Sequence, residues 1–248
     1  MSLTNRKIAD IVDENYVNAS VLYYFGIEFF NYTEDTLDQV CLKRGLNAEI
    51  VTKELEKVTV CTDKLELETF PVDLIIEYLK HAHFIFIKRK LPYIAKLIES
   101  FEPHHPSYNG IAKDLKFVFP LFVEDFIHHV YMEEDTLFTY IRQLAKCTEG
   151  VEPSISKVYY QMEKHSLQKY AVEHEEHDDE MRGIRRITNN YTCDSDDPLH
   201  IRVVYAELQA FEQELITHAK VENEILFPKA LILEQDIKNK ISSKISLN

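Results

Sequence analysis

The chain has 248 residues and a formal net charge of −14, with 45% hydrophobic and 28% charged residues. An acidic surplus of that size argues against a nucleic-acid partner and against docking on an anionic membrane. Five glycines and eight prolines suit long helices better than many short strands and turns, and the length allows a substantial core in one or two domains.

Residues 1–60 read as a small helical domain. Met1-Ser-Leu-Thr-Asn-Arg-Lys7 runs directly into an amphipathic helix rather than a signal peptide. Thr4 is placed to cap that helix, which carries Ile8, Ile11 and Val12 on one face, and Ala19, Leu22 and Tyr23 continue a second segment that Gly26 breaks. A third helix starts near Thr33-Glu-Asp-Thr36, and Gly45-Leu-Asn47 ends it and caps the next, from Ala48 toward Val58. The polar stretch that follows reads as a linker over 61–70. Four long helical patterns then occupy 71–101, 109–146, 154–191 and 198–236, and 237–248 reads as a polar C-terminal tail. Pro106 with Gly110, Gly150 with Pro153, and Pro198 mark the separators. Short separators force antiparallel neighbours, so the expected fold is all-α, with an up-down-up-down four-helix bundle over 71–236. Pro92 and Pro120 are expected to kink its first and second helices. Apolar runs stay below the about 20 residues needed to span a bilayer. Cys41, Cys61, Cys147 and Cys193 have no CxxC spacing, which suits reduced thiols in a cytoplasmic protein.

One motif occurs twice in that bundle: His129-Val-Tyr-Met-Glu133 and His218-Ala-Lys-Val-Glu222. Helix positions i and i+4 share a face, so each copy aims an imidazole and a carboxylate at one point. The second helix carries the stripe Phe122, Phe126, His129, Glu133, Leu137, Tyr140, and the fourth carries Phe211, Leu215, His218, Glu222, Ile225. Both pairs thus replace hydrophobes on an inward face, where a carboxylate needs a proton, a cation or a metal. The third helix puts His174 and His177 on its stripe, and the first puts His83 there, with His81 on the adjoining face. His83, His129, His174 and His218 each stand about 19–21 residues from the intervening turns, which at 1.5 Å rise places them in one layer. The other histidines fail a test: His104 and His105 lie in a loop, His165 and His200 sit near helix starts, and His128 points away from His129.

Each histidine taken alone is most simply a core or helix-end imidazole with an ordinary partner, and the aromatic stripes are core. The layered set is harder to dismiss, because two inward glutamates also need an explanation. Four imidazoles and two carboxylates suit iron, manganese or zinc, and redox-active iron is the reading for a non-sulfur pair in a bundle core. Tyr131 and Phe126 are expected to dry the surroundings.

These residues resemble the hemerythrin-like bundle, and more closely the RIC family of di-iron proteins implicated in repair of iron–sulfur centres. The resemblance covers nearly the whole chain. It is carried by His129-Val-Tyr-Met-Glu133-Glu-Asp-Thr-Leu-Phe138, by Glu173-His174-Glu-Glu-His177 with Thr188-Asn-Asn-Tyr191, and by His218 through Pro228. It implies two iron ions bridged by Glu133 and Glu222 with His83, His129, His174 and His218, and it supports His174 over His177. Two departures stand out. The family's first-helix ligand falls eight residues before the proline of a Leu-Pro pair, a place held here by Phe84, with His83 one residue earlier and His81 three. The amino-terminal module normally carries adjacent cysteines followed by glycines, where this chain has Phe30, Asn31, Tyr32 and Thr33. Its thiol chemistry is therefore gone, leaving helix packing, homodimer contact or partner docking.

Three functions compete. The first is a non-haem di-iron protein of the oxidative or nitrosative stress response that handles iron in iron–sulfur cluster repair, with iron–sulfur proteins as partners. The second is a reversible O₂ or NO binding module, a sensor or scavenger. The third is a metal-poor helical interaction protein. No Ser-His-Asp set, phosphate loop or HExxH motif supports a hydrolase or kinase.

Overall fold

We describe a computed structural model of the chain over residues 3–57, 66–102, 106–150, 160, 162, 167 and 179–246. The protein is all-α: among these residues no strand forms, and an isolated antiparallel bridge joins Lys7 and Thr36. No described helix is long and apolar enough to cross a membrane. The chain divides into two compact units, unit 1 (1–64, 90–119 and 184–211) and unit 2 (65–89, 120–183 and 212–248).

Unit 1 begins with α1 (Ile8–Glu14), α2 (Val17–Tyr24), α3 (Leu37–Arg44) and α4 (Ala48–Glu56). Thr36 and Gln39 form a capping box at α3, Gly45 ends it at φ +67°, and the Asn47 side chain accepts from the first turn of α4. These punctuation residues behave as their chemistry requires, satisfying amides that a helix end leaves without partners. Thr4 does not: it lies in the 3₁₀ turn Leu3–Asn5, and Lys7 precedes α1 without a side-chain cap. The unit extends beyond its amino-terminal segment. Tyr23 packs on Tyr93 with ring centroids 4.8 Å apart, and the Arg202 guanidinium pairs with Asp13 while donating to the Tyr16 hydroxyl at 2.9 Å.

Three long helical runs each contribute residues to both units. The first joins α5 (Val72–Ile85) through a π-helical turn, Phe86–Lys90, to α6 (Leu91–Glu99). The second joins α7 (Pro106–Met132) through a π-turn, Glu133–Phe138, to α8 (Thr139–Glu149), with Pro120 inside continuous helix. The last joins α10 (Leu199–Val221) through a third π-turn, Glu222–Leu226, to α11 (Phe227–Ser246). Between them α9 (Arg182–Ile187) is a short helix. In unit 2, Ile75, Ile76, Leu79, Leu137, Ile141, Leu144, Leu226, Phe227, Ala230 and Ile237 form the buried core, joined by Met162 and Leu167.

Two sequence expectations change. A helix over 154–191 falls largely outside the described residues, and its described end is interrupted at 179–181 and stops at Ile187. There Thr188 Oγ1 turns back to the Ile184 carbonyl at 2.9 Å, and Asn189, Asn190 and Tyr191 all take positive φ. Local side-chain to backbone bonding of this kind competes with helix continuation. The segment expected as a polar tail is instead helical through Ser246, because Ile237 and Ile241 keep an apolar face against the core.

Candidate metal centre

The π-turns explain where the site residues fall. A π-turn holds an extra residue in one turn, so the buried face moves on by one position after it. On the first run Ile76, Leu79 and His83 are buried before the turn, Phe86 is buried at its start, and Leu91 and Ile94 are buried after it. Phe84, at the place where family spacing puts a ligand, is 53% exposed, while His83 is 2% exposed. The extra residue of the π-turn Phe86–Lys90 lies between His83 and Pro92. On the last run Glu222 opens the turn and Leu226, rather than Ile225, continues the buried face.

Among the described residues, His83, Glu133, His218 and Glu222 gather ligand atoms that all lie within 4.8 Å of one another. His83, Glu133 and Glu222 are buried, and the His218 side chain is 10% exposed. The two imidazoles meet Nε2 to Nε2 at 2.9 Å. His218 Nε2 stands 3.1 Å from Glu222 Oε1, and His83 Nε2 stands 3.4 Å from Glu133 Oε2. With bonds of about 2.1 Å, as nitrogen and oxygen ligands make to a first-row dication, adjacent ligands at right angles sit about 3.0 Å apart. The observed separations match that spacing, so the donor set fits a metal ion of the type that imidazole and carboxylate prefer.

Electrostatics support the same reading. Burial by itself lowers the His83 imidazole, but Glu133, Glu134 and Glu222 outweigh it and hold the group above its ordinary 6.5. Three carboxylates converging on one buried imidazole favour positive charge at that point, which is what a dication supplies. Aromatic rings close the surroundings: Phe138 stacks on His83 at 5.9 Å, Phe86 meets His218 edge-on at 5.7 Å, and Phe126 meets Phe86 at 6.1 Å. Tyr131, expected among them, is 60% exposed and does not dry the site.

Of the remaining expected ligands, His129 is half-buried with Nδ1 3.9 Å from Glu180 Oε1, and it lies outside the gathered group. Val130 takes the buried position beside it. His81 is exposed and also outside the group. His174 and His177 lie outside the described residues. The reading of the sequence missed Glu134 and Lys80. Glu134 Oε1 is 3.0 Å from His83 Nδ1, and Lys80 Nζ is 2.9 Å from Glu134 Oε2. The only available signal was the Glu133-Glu134 doublet, whose second member regular helical periodicity turns away from the first.

Comparison with known proteins reaches the same place. The family described as hemerythrin HHE cation binding domain matches residues 74–230. A protein named iron-sulfur cluster repair protein YtfE from Cronobacter sakazakii is 24% identical over 218 residues, covering 88% of this chain and 92% of its own. The protein of the same name from Shigella boydii is 23% identical, covering 86% and 91%, and that from Escherichia coli O8 is 23% identical, covering 80% and 84%.

Proposed function

The chain belongs to the hemerythrin HHE cation-binding family, and from that premise we propose that it is a non-haem di-iron protein that handles iron in the repair of iron–sulfur clusters. The observation that carries the metal reading is the gathering of His83, Glu133, His218 and Glu222 within 4.8 Å. The repair reading draws on relatives that bear that name at 23–24% identity over most of both chains.

His83 and His218 would hold the metal through Nε2 and Glu133 and Glu222 would supply carboxylate oxygens and balance its charge, with His129 and His174 the further imidazoles that the family resemblance implies. Bound there, a pair of iron ions supplies redox chemistry and open positions for O₂ or NO. Phe86, Phe126 and Phe138 limit water around the donors and so strengthen the electrostatic hold on the cation. The bundle of 71–236 is the working domain, and the amino-terminal 1–60, without cysteines at Phe30 and Asn31, is left with helix packing, homodimer contact or partner docking. A cytoplasmic location suits a protein whose partners are iron–sulfur proteins.

The experiment is anaerobic purification followed by metal analysis, then incubation with a hydratase whose cluster has been damaged by peroxide or nitric oxide. About two irons per chain are expected, with hydratase activity restored by the iron-loaded protein and not by the metal-free one. A chain that loads iron and reversibly binds O₂, but restores nothing, is a gas-binding module instead. A chain that takes up no iron under these conditions overturns both.

A further inference from the structure

Neighbouring residues on a regular helix diverge by about 100°, so a glutamate doublet ordinarily sends one carboxylate inward and the other away. Glu133 and Glu134 break this pattern, standing at the start of the π-turn Glu133–Phe138. Both engage the same imidazole: Glu133 Oε2 lies 3.4 Å from His83 Nε2, and Glu134 Oε1 lies 3.0 Å from His83 Nδ1. The second oxygen of Glu134 is held by Lys80 at 2.9 Å, and Lys80 stands one helical turn before His83 on α5.

We propose that Glu134 is a positioning residue for His83: it accepts the Nδ1 proton, leaving the Nε2 lone pair facing Glu133, His218 and Glu222, while Lys80 tempers its charge. This rests on the reading that His83 is a metal ligand. A neutral imidazole has one donor nitrogen and one acceptor, so the bond at Nδ1 decides what Nε2 offers. Without Glu134 the proton is free to occupy Nε2, where it faces His218 Nε2 at 2.9 Å and must be displaced before a metal binds. An acceptor on the outer nitrogen also fixes the ring plane and raises its basicity. The carboxylate's charge favours the more oxidised ion, and the Lys80 ammonium acts in the opposite sense.

The test loads Fe(II) anaerobically onto the full chain and onto Glu134→Ala, Glu134→Gln, Lys80→Met and His83→Ala, with helicity checked by circular dichroism. Bound iron and the midpoint potential are read from the loaded proteins, and the ¹⁵N imidazole spectrum from the metal-free ones at alkaline pH. Glu134→Ala is expected to weaken iron binding by about 10–100-fold and to move the His83 proton from Nδ1 toward Nε2. Glu134→Gln keeps an acceptor oxygen, so it restores most of the affinity, yet it raises the potential. Lys80→Met lowers the potential. Shifts of opposite sign distinguish a charge acting through His83 from a general loosening of the helix. Potentials that stay put, or that move together in the Gln and Met variants, overturn the proposal. A wild-type chain without iron, or a His83→Ala variant with full iron affinity, removes the metal reading itself and this proposal with it.

Discussion

His83 in unit 2 and His200 in unit 1 are both enclosed imidazoles, yet their surroundings pull them in opposite directions. His83 meets Glu134 at Nδ1 and Glu133 at Nε2, with Glu222 contributing at longer range. His200 bonds the Leu97 carbonyl through Nε2 at 2.9 Å, stacks on Phe30 at 5.0 Å, and packs against Phe29 and Phe101 at 5.7 and 5.4 Å. Burial lowers the His200 imidazole below 6.5, Lys116 adds to that, and one carbonyl does not compensate. His83 has a comparable loss of water and ends above 6.5 because carboxylates surround it. Carboxylates make an enclosed imidazole part of a cation site, whereas three phenyl rings and a carbonyl make it a neutral packing group.

The strongest way to break this comparison is to remove the carboxylates. Glu222→Ala or Glu133→Ala is expected to abolish stable iron binding, as read by metal analysis after gel filtration; either variant holding iron at full affinity ends the bridging assignment. Next comes the choice within α5. His83→Ala is expected to lose iron and His81→Ala, whose parent side chain is exposed, to keep it; equal losses would put His81 back among the ligands. His200→Ala is expected to cost about 1–3 kcal/mol in chemical denaturation through lost ring packing while leaving iron content unchanged. The smallest effect is the pH dependence of that contribution. A folded pKa below the unfolded value means the unfolded chain binds more protons, so stability is complete above about pH 6.5 and falls as the pH drops toward the folded value. Denaturation midpoints between pH 7 and pH 5 should therefore fall less in His200→Phe than in the parent chain, and parallel slopes would show that His200 does not carry the effect.

Legibility of the site followed helical regularity. The inward positions of Glu133 and Glu222 could be read because each continues a stripe of hydrophobes at steps of three and four, and both are buried. The same periodicity held through the π-turn Glu133–Phe138, where Leu137 and Tyr140 are buried, and failed in the π-turn Glu222–Leu226, where Leu226 rather than Ile225 is buried. On α7 His129 is half-buried and its neighbour Val130 is buried. The contact of Glu134 with His83 was invisible for the same reason, since it depends on where an extra residue is absorbed.

By itself the sequence determined the all-α class, the caps at Thr36, Gly45 and Asn47, and the paired His-x-x-x-Glu segments. These follow from interactions within a few residues, which obey a fixed 3.6-residue period. The sequence also put His83 ahead of His81 on the inward stripe, but only the tertiary structure brought it within 4.8 Å of Glu133, His218 and Glu222 and set Glu134 and Lys80 behind it. It also decided that His200 lies among Phe29, Phe30 and Phe101. Those outcomes depend on side chains 51 and 135 residues apart in the chain and on π-turns that shift the register between them, and no local pattern encodes either.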